Sequence, residues 1–212
     1  MNLDYRPYVR QLELKFFRSK LSRLFAELMS RKALHLYRPV VEEIGPLAPG
    51  ARIADIGCGH ATFLRMYLKR YPQVKGFGLD QSAELIKFAR RRCEEDGVRA
   101  EFAVGDVHDA PLPEAAFDAM VSLSSIYLWR DPTLVINRLR RALKPGGRLL
   151  IYEVLPARTL DDFKKALFEQ RFYGAGVPAY TLDEMKGFAD RSDFRGCEIR
   201  LDGLLIRMEM RR

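Results

Sequence analysis

At 212 residues and 48% hydrophobic content, the chain is long enough to bury a sizeable core and is expected to fold around one main domain. No stretch approaches the ~20 apolar residues that cross a bilayer, and Met1-Asn2-Leu3-Asp4-Tyr5-Arg6 lacks the apolar segment of a secretory signal, so the expected location is the cytoplasm. The net charge of +8 is concentrated: residues 1–38 carry nine Lys or Arg against three Asp or Glu, so +6 of the excess belongs to an N-terminal extension and says little about the rest.

Leu14, Phe17, Leu21, Leu24, Phe25 and Leu28 recur at helical spacing, predicting one or two amphipathic helices over 10–36 with Lys20 and Arg23 turned outward. Pro39 and Gly45-Pro46-Leu47-Ala48-Pro49-Gly50 then punctuate the chain. The expected division is a basic helical extension over 1–38 and a domain over 39–212. Within that domain, strands near 52–56, 74–79, 99–104, 117–123 and 148–154 alternate with helices near 60–71, 82–96 and 132–143. This βα alternation predicts an α/β, doubly wound, mostly parallel sheet. Beyond Pro156, residues 160–172 read as a helix, and Thr181 with Glu184 three positions on marks the start of another that runs to about Asp190. The apolar runs 196–201 and 204–210, joined by Asp202-Gly203, predict a C-terminal antiparallel hairpin. Cys58, Cys93 and Cys197 form no CxxC pair and read as reduced thiols; with three scattered histidines, no metal site is expected.

Four short segments stand where apolar runs give way to glycine and polar residues: Ile53-Ala54-Asp55-Ile56-Gly57-Cys58-Gly59, Gly78-Leu79-Asp80, Val104-Gly105-Asp106-Val107 and Leu143-Lys144-Pro145-Gly146-Gly147. A parallel sheet gathers such junctions along its carboxyl edge, where open sheets bind ligands. Gly57 and Gly59 suit a tight strand-to-helix turn that a ligand approaches closely. Alone, that GxG fits an ordinary βα turn or a nicotinamide site, since Asp80 also ends the second strand. Thr62, however, occupies the third glycine position of a dinucleotide fingerprint, while Asp55 and Asp106 add carboxylates. Together and in this order, the segments resemble a class I S-adenosylmethionine-dependent methyltransferase.

The resemblance implies a seven-stranded Rossmann-like sheet with S-adenosylmethionine as cofactor. Asp80 would accept the two ribose hydroxyls, and Asp106 with the Val107 N–H would hold the adenine edge, beside Gln81. The methionine end would lie over Gly57, Cys58, Gly59 and His60, with Ser122 and Leu123 nearby and Asp55 supporting the turn. His60 either bonds the cofactor carboxylate or simply starts the helix.

The acceptor is less legible. Amino methyltransferases of nucleic acids carry Asn or Asp, Pro-Pro and an aromatic after the fourth strand; this chain reads Ser122-Leu123-Ser124-Ser125-Ile126-Tyr127, and no cysteine follows a proline as cytosine-C5 chemistry requires. The run from Ser125 through Tyr127, Trp129 and Asp131 to Pro132 resembles the small-molecule branch related to ubiquinone and menaquinone methyltransferases. That implies a small, apolar or amphiphilic acceptor. Tyr127 is the candidate catalytic residue, against a ring that only packs under the next helix. Trp129 is expected to anchor the turn and His108 to be a solvated loop histidine. Phe168, Phe172, Tyr173 and Tyr180 read either as a substrate lid or as a satellite cluster. As partners, a small-molecule substrate is expected, a membrane surface met through 10–36 and a homodimer stay open, and nucleic acid is disfavoured. The alternatives are a lipid or RNA methyltransferase recruited by the basic N-terminus, or a catalytically silent cofactor-binding subunit.

Overall fold

The computed structural model describes residues 15, 37–154, 180–202 and 205–212. In chain order these form α1 (37–44), β1 (Arg52–Ile56), α2 (Thr62–Arg70), β2 (Lys75–Asp80), α3 (Ala83–Glu95), β3 (Ala100–Val104) and β4 (Phe117–Leu123). A 3₁₀ turn (Ile126–Leu128), α4 (Pro132–Ala142), β5 (Leu143–Val154), α5 (Leu182–Asp190), β6 (Cys197–Asp202) and β7 (Leu205–Arg211) follow. The expected N-terminal helices, apart from the exposed Lys15, the helix at 160–172 and most of the aromatic insert lie outside the described residues.

One sheet joins the seven strands in the order β3-β2-β1-β4-β5-β7-β6. β1 through β5 run parallel, and β7 is antiparallel to both β5 and β6. The doubly wound sheet and its antiparallel ending are as expected; the hairpin's last strand is the one inserted beside β5. Chain order reverses between β1 and β4, which opens a crevice at their carboxyl ends.

Strand alternation sends each sheet face to its own helices. Ala54, Ile56, Met120, Leu149, Ile151 and Met208 pack with α4 and α5. Ile53, Ala119, Val121, Leu150 and Tyr152 pack with α1, α2 and α3. Pro39 does not break the chain as expected: it lies within α1, whose Val40, Val41 and Ile44 are buried in the second core. Burying three branched side chains, at roughly 1.5–3 kcal/mol each, outweighs the helix cost of one proline. Glu43 of the same helix accepts from Tyr152 and pairs with Arg200 and Arg207, tying α1 to β5, β6 and β7.

β5 starts at Leu143, five residues before the expected position. Leu143 pairs with Phe117 across a register shift, the Gly146 amide donates to the Arg212 carbonyl at 2.8 Å, and the Arg212 amide donates back to Gly147 at 3.0 Å. The C-terminus thus recruits Leu143-Lys144-Pro145-Gly146-Gly147 into the sheet. Helix ends follow local chemistry: Asp131 caps α4 before Pro132, and Thr181 with Glu184 forms a complete capping box on α5.

Candidate functional site

The first strand-to-helix turn is shaped by what surrounds it. Gly57 sits at φ +76°, and a Cβ there would lie 2.6 Å from Cβ and Oγ of Ser125, so no side chain fits. The amides of Gly57 and Cys58 both donate to the Leu79 carbonyl, at 2.8 and 3.1 Å, sewing the turn to the end of β2. Gly59 is different: at φ +53° a Cβ would meet nothing within 4 Å. Its side faces open space. Ala61, also in the left-handed region at φ +59°, begins α2 with no side-chain cap, so the first-turn amides keep their pull on negative charge.

Two carboxylates stand beside this turn. Asp80 ends β2; its Oδ2 accepts from Gly59 N at 2.8 Å and its Oδ1 from Ser82 N at 2.9 Å. Burial raises the Asp80 pKa despite these two stabilising amides. Each oxygen retains a lone pair for a further donor. Asp55, 3% exposed on β1, lies opposite Gly78 on one side and Val121 on the other. Burial first, then the charge of Asp80, pushes its pKa to about 8. The same pair of carboxylates, added to burial, pushes the Cys58 thiol well above its ordinary range, so it stays protonated.

His60 follows the turn, its ring 6.4 Å from that of Phe88. Burial, with Arg65 and Arg92 in addition, lowers its pKa to about 4. A neutral imidazole results. Its Nε2 is buried and has no hydrogen-bond partner among the described residues.

The third junction is tied to the second by the Gly105 amide, which donates to the Asp80 carbonyl at 2.9 Å. Asp106 Oδ1 accepts from the His108 amide at 3.0 Å and meets His108 Nδ1 at 2.5 Å, while Oδ2 lies 3.7 Å from the Arg130 guanidinium. Burial acts to raise the Asp106 pKa, but the His108 bonds and Arg130 outweigh it and the net shift is downward. His108 is not the solvated loop residue expected: its side chain is 7% exposed, and its Nε2 accepts from the amides of Arg130 and Asp131 at 3.0 and 3.2 Å. Val107 is buried, and its carbonyl accepts from Arg138 Nε at 3.1 Å.

The end of β4 closes the arrangement. Ser125 Oγ donates to the Ile56 carbonyl at 3.0 Å and so accepts from Ser122 Oγ at 2.7 Å. Ser122 and Leu123 are buried, and Ser124 takes φ +49° as its amide bonds the Tyr152 carbonyl at 2.8 Å. Tyr127, on the 3₁₀ turn, is half-buried against the core shared with α4 and α5. Trp129 is 3% exposed in that core, in keeping with its expected anchoring. Gln81 is half-buried next to Asp80.

The sheet therefore gathers Asp55, Gly57, Gly59, His60, Asp80, Asp106 and Ser122 at one edge. Ser125, His108 and Arg138 carry contacts that spacing does not announce; the only sequence hint is that Asp106 and His108 stand two apart after a strand. Of the aromatic group read as a lid or a satellite cluster, Tyr180 alone is described, buried with its ring 4.7 Å edge-on to Phe188. No helix among the described residues is long and apolar enough to cross a membrane.

The pattern of the methyltransferase domain family matches residues 53–147, which span all four junctions. The chain is 30% identical over 176 residues to a ubiquinone biosynthesis O-methyltransferase of Xylella fastidiosa, covering 81% of this chain and 70% of that one. It is 26% identical over 165 residues to a fatty-acid O-methyltransferase of Mycolicibacterium smegmatis, covering 78% of this chain but 59% of the relative's length. A crystal structure of a S-adenosylmethionine-dependent methyltransferase from Aquifex aeolicus superposes with a TM-score of 0.74 at 18% identity, over 90% of this chain and 97% of that one; at that identity the likeness concerns the fold.

Proposed function

We propose that this chain, which belongs to the S-adenosylmethionine-dependent methyltransferase family, transfers a methyl group from S-adenosylmethionine to a small, apolar or amphiphilic organic acceptor. The observation that carries the cofactor half of this reading is the cradle at Gly59. A backbone open on its side-chain face lies 2.8 Å from a carboxylate with spare lone pairs, and the following residue, His60, carries a buried imidazole nitrogen with no partner among the described residues. These groups fit a polar ligand pressed against the turn.

Asp80, held from behind by two amides, accepts the ribose hydroxyls with its free lone pairs. Asp106 Oδ2, turned away from His108, accepts from the adenine amino group while the Val107 N–H serves the ring. The uncapped amides at the start of α2 favour the cofactor's carboxylate, laid over the turn from Gly57 to His60. Asp80 supplies negative charge on the side of the cofactor's cationic end, while the protonated Asp55 supports the turn from beneath. The bound cofactor supplies an electrophilic methyl group on sulfur. The chain's part is then to align the acceptor atom with it and exclude water. Ser125, Ser122 and Ser124 set the floor below the acceptor, and Tyr127 orients the acceptor from the 3₁₀ turn.

The relatives named for fatty-acid and ubiquinone-biosynthesis O-methylation support an oxygen acceptor on a molecule with an apolar part. Calorimetry with S-adenosylhomocysteine and NAD, followed by turnover over a panel of long-chain carboxylic acids and phenols, tests the reading. Tight NAD binding with no response to S-adenosylhomocysteine would overturn it.

A further inference from the structure

His108 joins two parts of the site that the sheet alone does not connect. Its Nε2 accepts two backbone N–H groups, from Arg130 and Asp131, and is therefore unprotonated. The proton consequently sits on Nδ1, which donates to Asp106 Oδ1; the hydrogen-bond network assigns the tautomer. One nearly buried ring thus has the carboxylate after β3 at one end and the start of α4 at the other. Asp131 is the N-cap of α4, and the amide of Trp129, next to Arg130, donates to the Ile126 carbonyl at 2.9 Å, closing the turn that carries Tyr127. Arg130, on the same short segment, approaches the remaining carboxylate oxygen at 3.7 Å with its side chain 63% exposed.

We infer that His108 is a positioning residue that couples occupancy at Asp106 to the conformation of the 126–131 turn, so that the cofactor's base end helps set the acceptor side. The inference rests on the proposed cofactor reading. A donor arriving at Asp106 Oδ2 replaces the long Arg130 contact and draws the carboxylate toward itself. Oδ1 moves with it, and the rigid imidazole passes that movement to the amides of Arg130 and Asp131. A flexible polar side chain in its place would absorb the movement; a planar ring bonded at both nitrogens does not.

Trp129 is the only tryptophan in the chain, and it is buried one residue from the tether, so its fluorescence reports the turn directly. The wild-type chain should bind S-adenosylhomocysteine with a change in Trp129 emission. His108→Asn keeps a donor near the Nδ1 position but offers nothing to Arg130 and Asp131. Its affinity for S-adenosylhomocysteine should stay within about threefold of wild type, with the Trp129 response lost and kcat lowered by about tenfold at unchanged cofactor KM. His108→Gln keeps an acceptor near the Nε2 position and loses the donor to Asp106. Its unliganded Trp129 emission should match wild type, while its affinity falls by about tenfold. Binding by wild type without a Trp129 response, or with the same response in both variants, overturns the coupling alone. Absence of S-adenosylhomocysteine binding by wild type overturns the cofactor reading and the coupling with it.

Discussion

The backbone amide of Gly59 donates to Oδ2 of Asp80 at 2.8 Å, joining the first glycine turn to the end of the second strand. The other oxygen of the same carboxylate holds the amide of Ser82, the N-cap of α3. One side chain therefore fixes the geometry of two strand-to-helix turns and still faces the crevice with lone pairs to spare. Scaffold and ligand roles share Asp80, and substitutions there must be read for both.

Asp80→Ala strands two amides and removes the proposed ribose acceptor. Loss of the two bonds should lower stability by about 1–3 kcal/mol, and affinity for S-adenosylhomocysteine should fall by about tenfold or more. Asp80→Asn, with one acceptor oxygen and no charge, should restore part of the stability and little of the affinity. Denaturant unfolding beside calorimetry separates the two; full affinity in Asp80→Asn would remove the charge-assisted role.

Gly57 and Gly59 both have positive φ but should respond to alanine in different ways. Gly57→Ala adds overpacking against Ser125 to left-handed strain, and should destabilise the fold by about 2–4 kcal/mol. Gly59→Ala meets no atom within 4 Å and should cost only the strain, about 1–2 kcal/mol, yet it places a methyl on the open face of the turn. Its melting temperature should drop modestly while S-adenosylhomocysteine binding is lost. Undiminished binding by Gly59→Ala would move the cofactor off this turn.

The contrast between these glycines shows what the sequence could and could not disclose. β1 and β4 fall at their expected residues because short apolar runs bounded by turn residues leave little choice of register. The GxG turn and Asp80 were legible because tight turns and strand ends demand particular residue types. Ser125 was not, since its bond to Ile56 spans 69 residues and leaves no local trace. The same holds for His108, whose acceptor bonds reach 22 and 23 residues along the chain and draw the ring of an expected surface histidine out of solvent. The early start of β5 depended on the C-terminal Arg212, which no window around Pro145 contains.

Asp55 gives the protein a distinctive pH dependence. Its pKa is raised from 3.8 to about 8, so between those values the folded state holds a proton that the unfolded chain has released. Stability from this group therefore declines as pH rises through that window, by up to about 1.4 kcal/mol per unit, and levels off above pH 8. His60, lowered from 6.5 to about 4, acts oppositely: its contribution is complete above pH 6.5 and is lost as pH falls toward 4. The difference between wild type and Asp55→Asn isolates the first effect. Urea titrations from pH 5 to 8 should show wild-type stability falling relative to the variant, and parallel curves would place Asp55 outside a desolvated site.

Tyr127 decides whether the turn after β4 does chemistry or only packs. Its ring is half-buried against the core that holds Ile126 and Trp129, so most of its contact area belongs to the aromatic body and survives in Tyr127→Phe. What that variant loses is the hydroxyl, on a turn placed just beyond the carboxyl end of β4, where a side chain directed into the crevice reaches the acceptor. If the hydroxyl orients or deprotonates the acceptor, kcat/KM should fall by roughly ten- to a thousandfold while melting temperature and S-adenosylhomocysteine affinity hold. The fall should sit in kcat, because the hydroxyl acts on the reacting geometry more than on ground-state binding. A lower melting temperature with unchanged specific activity would assign the ring to packing. Rate enhancement would then rest on alignment and exclusion of water by the backbone of the turn and the serines beneath it.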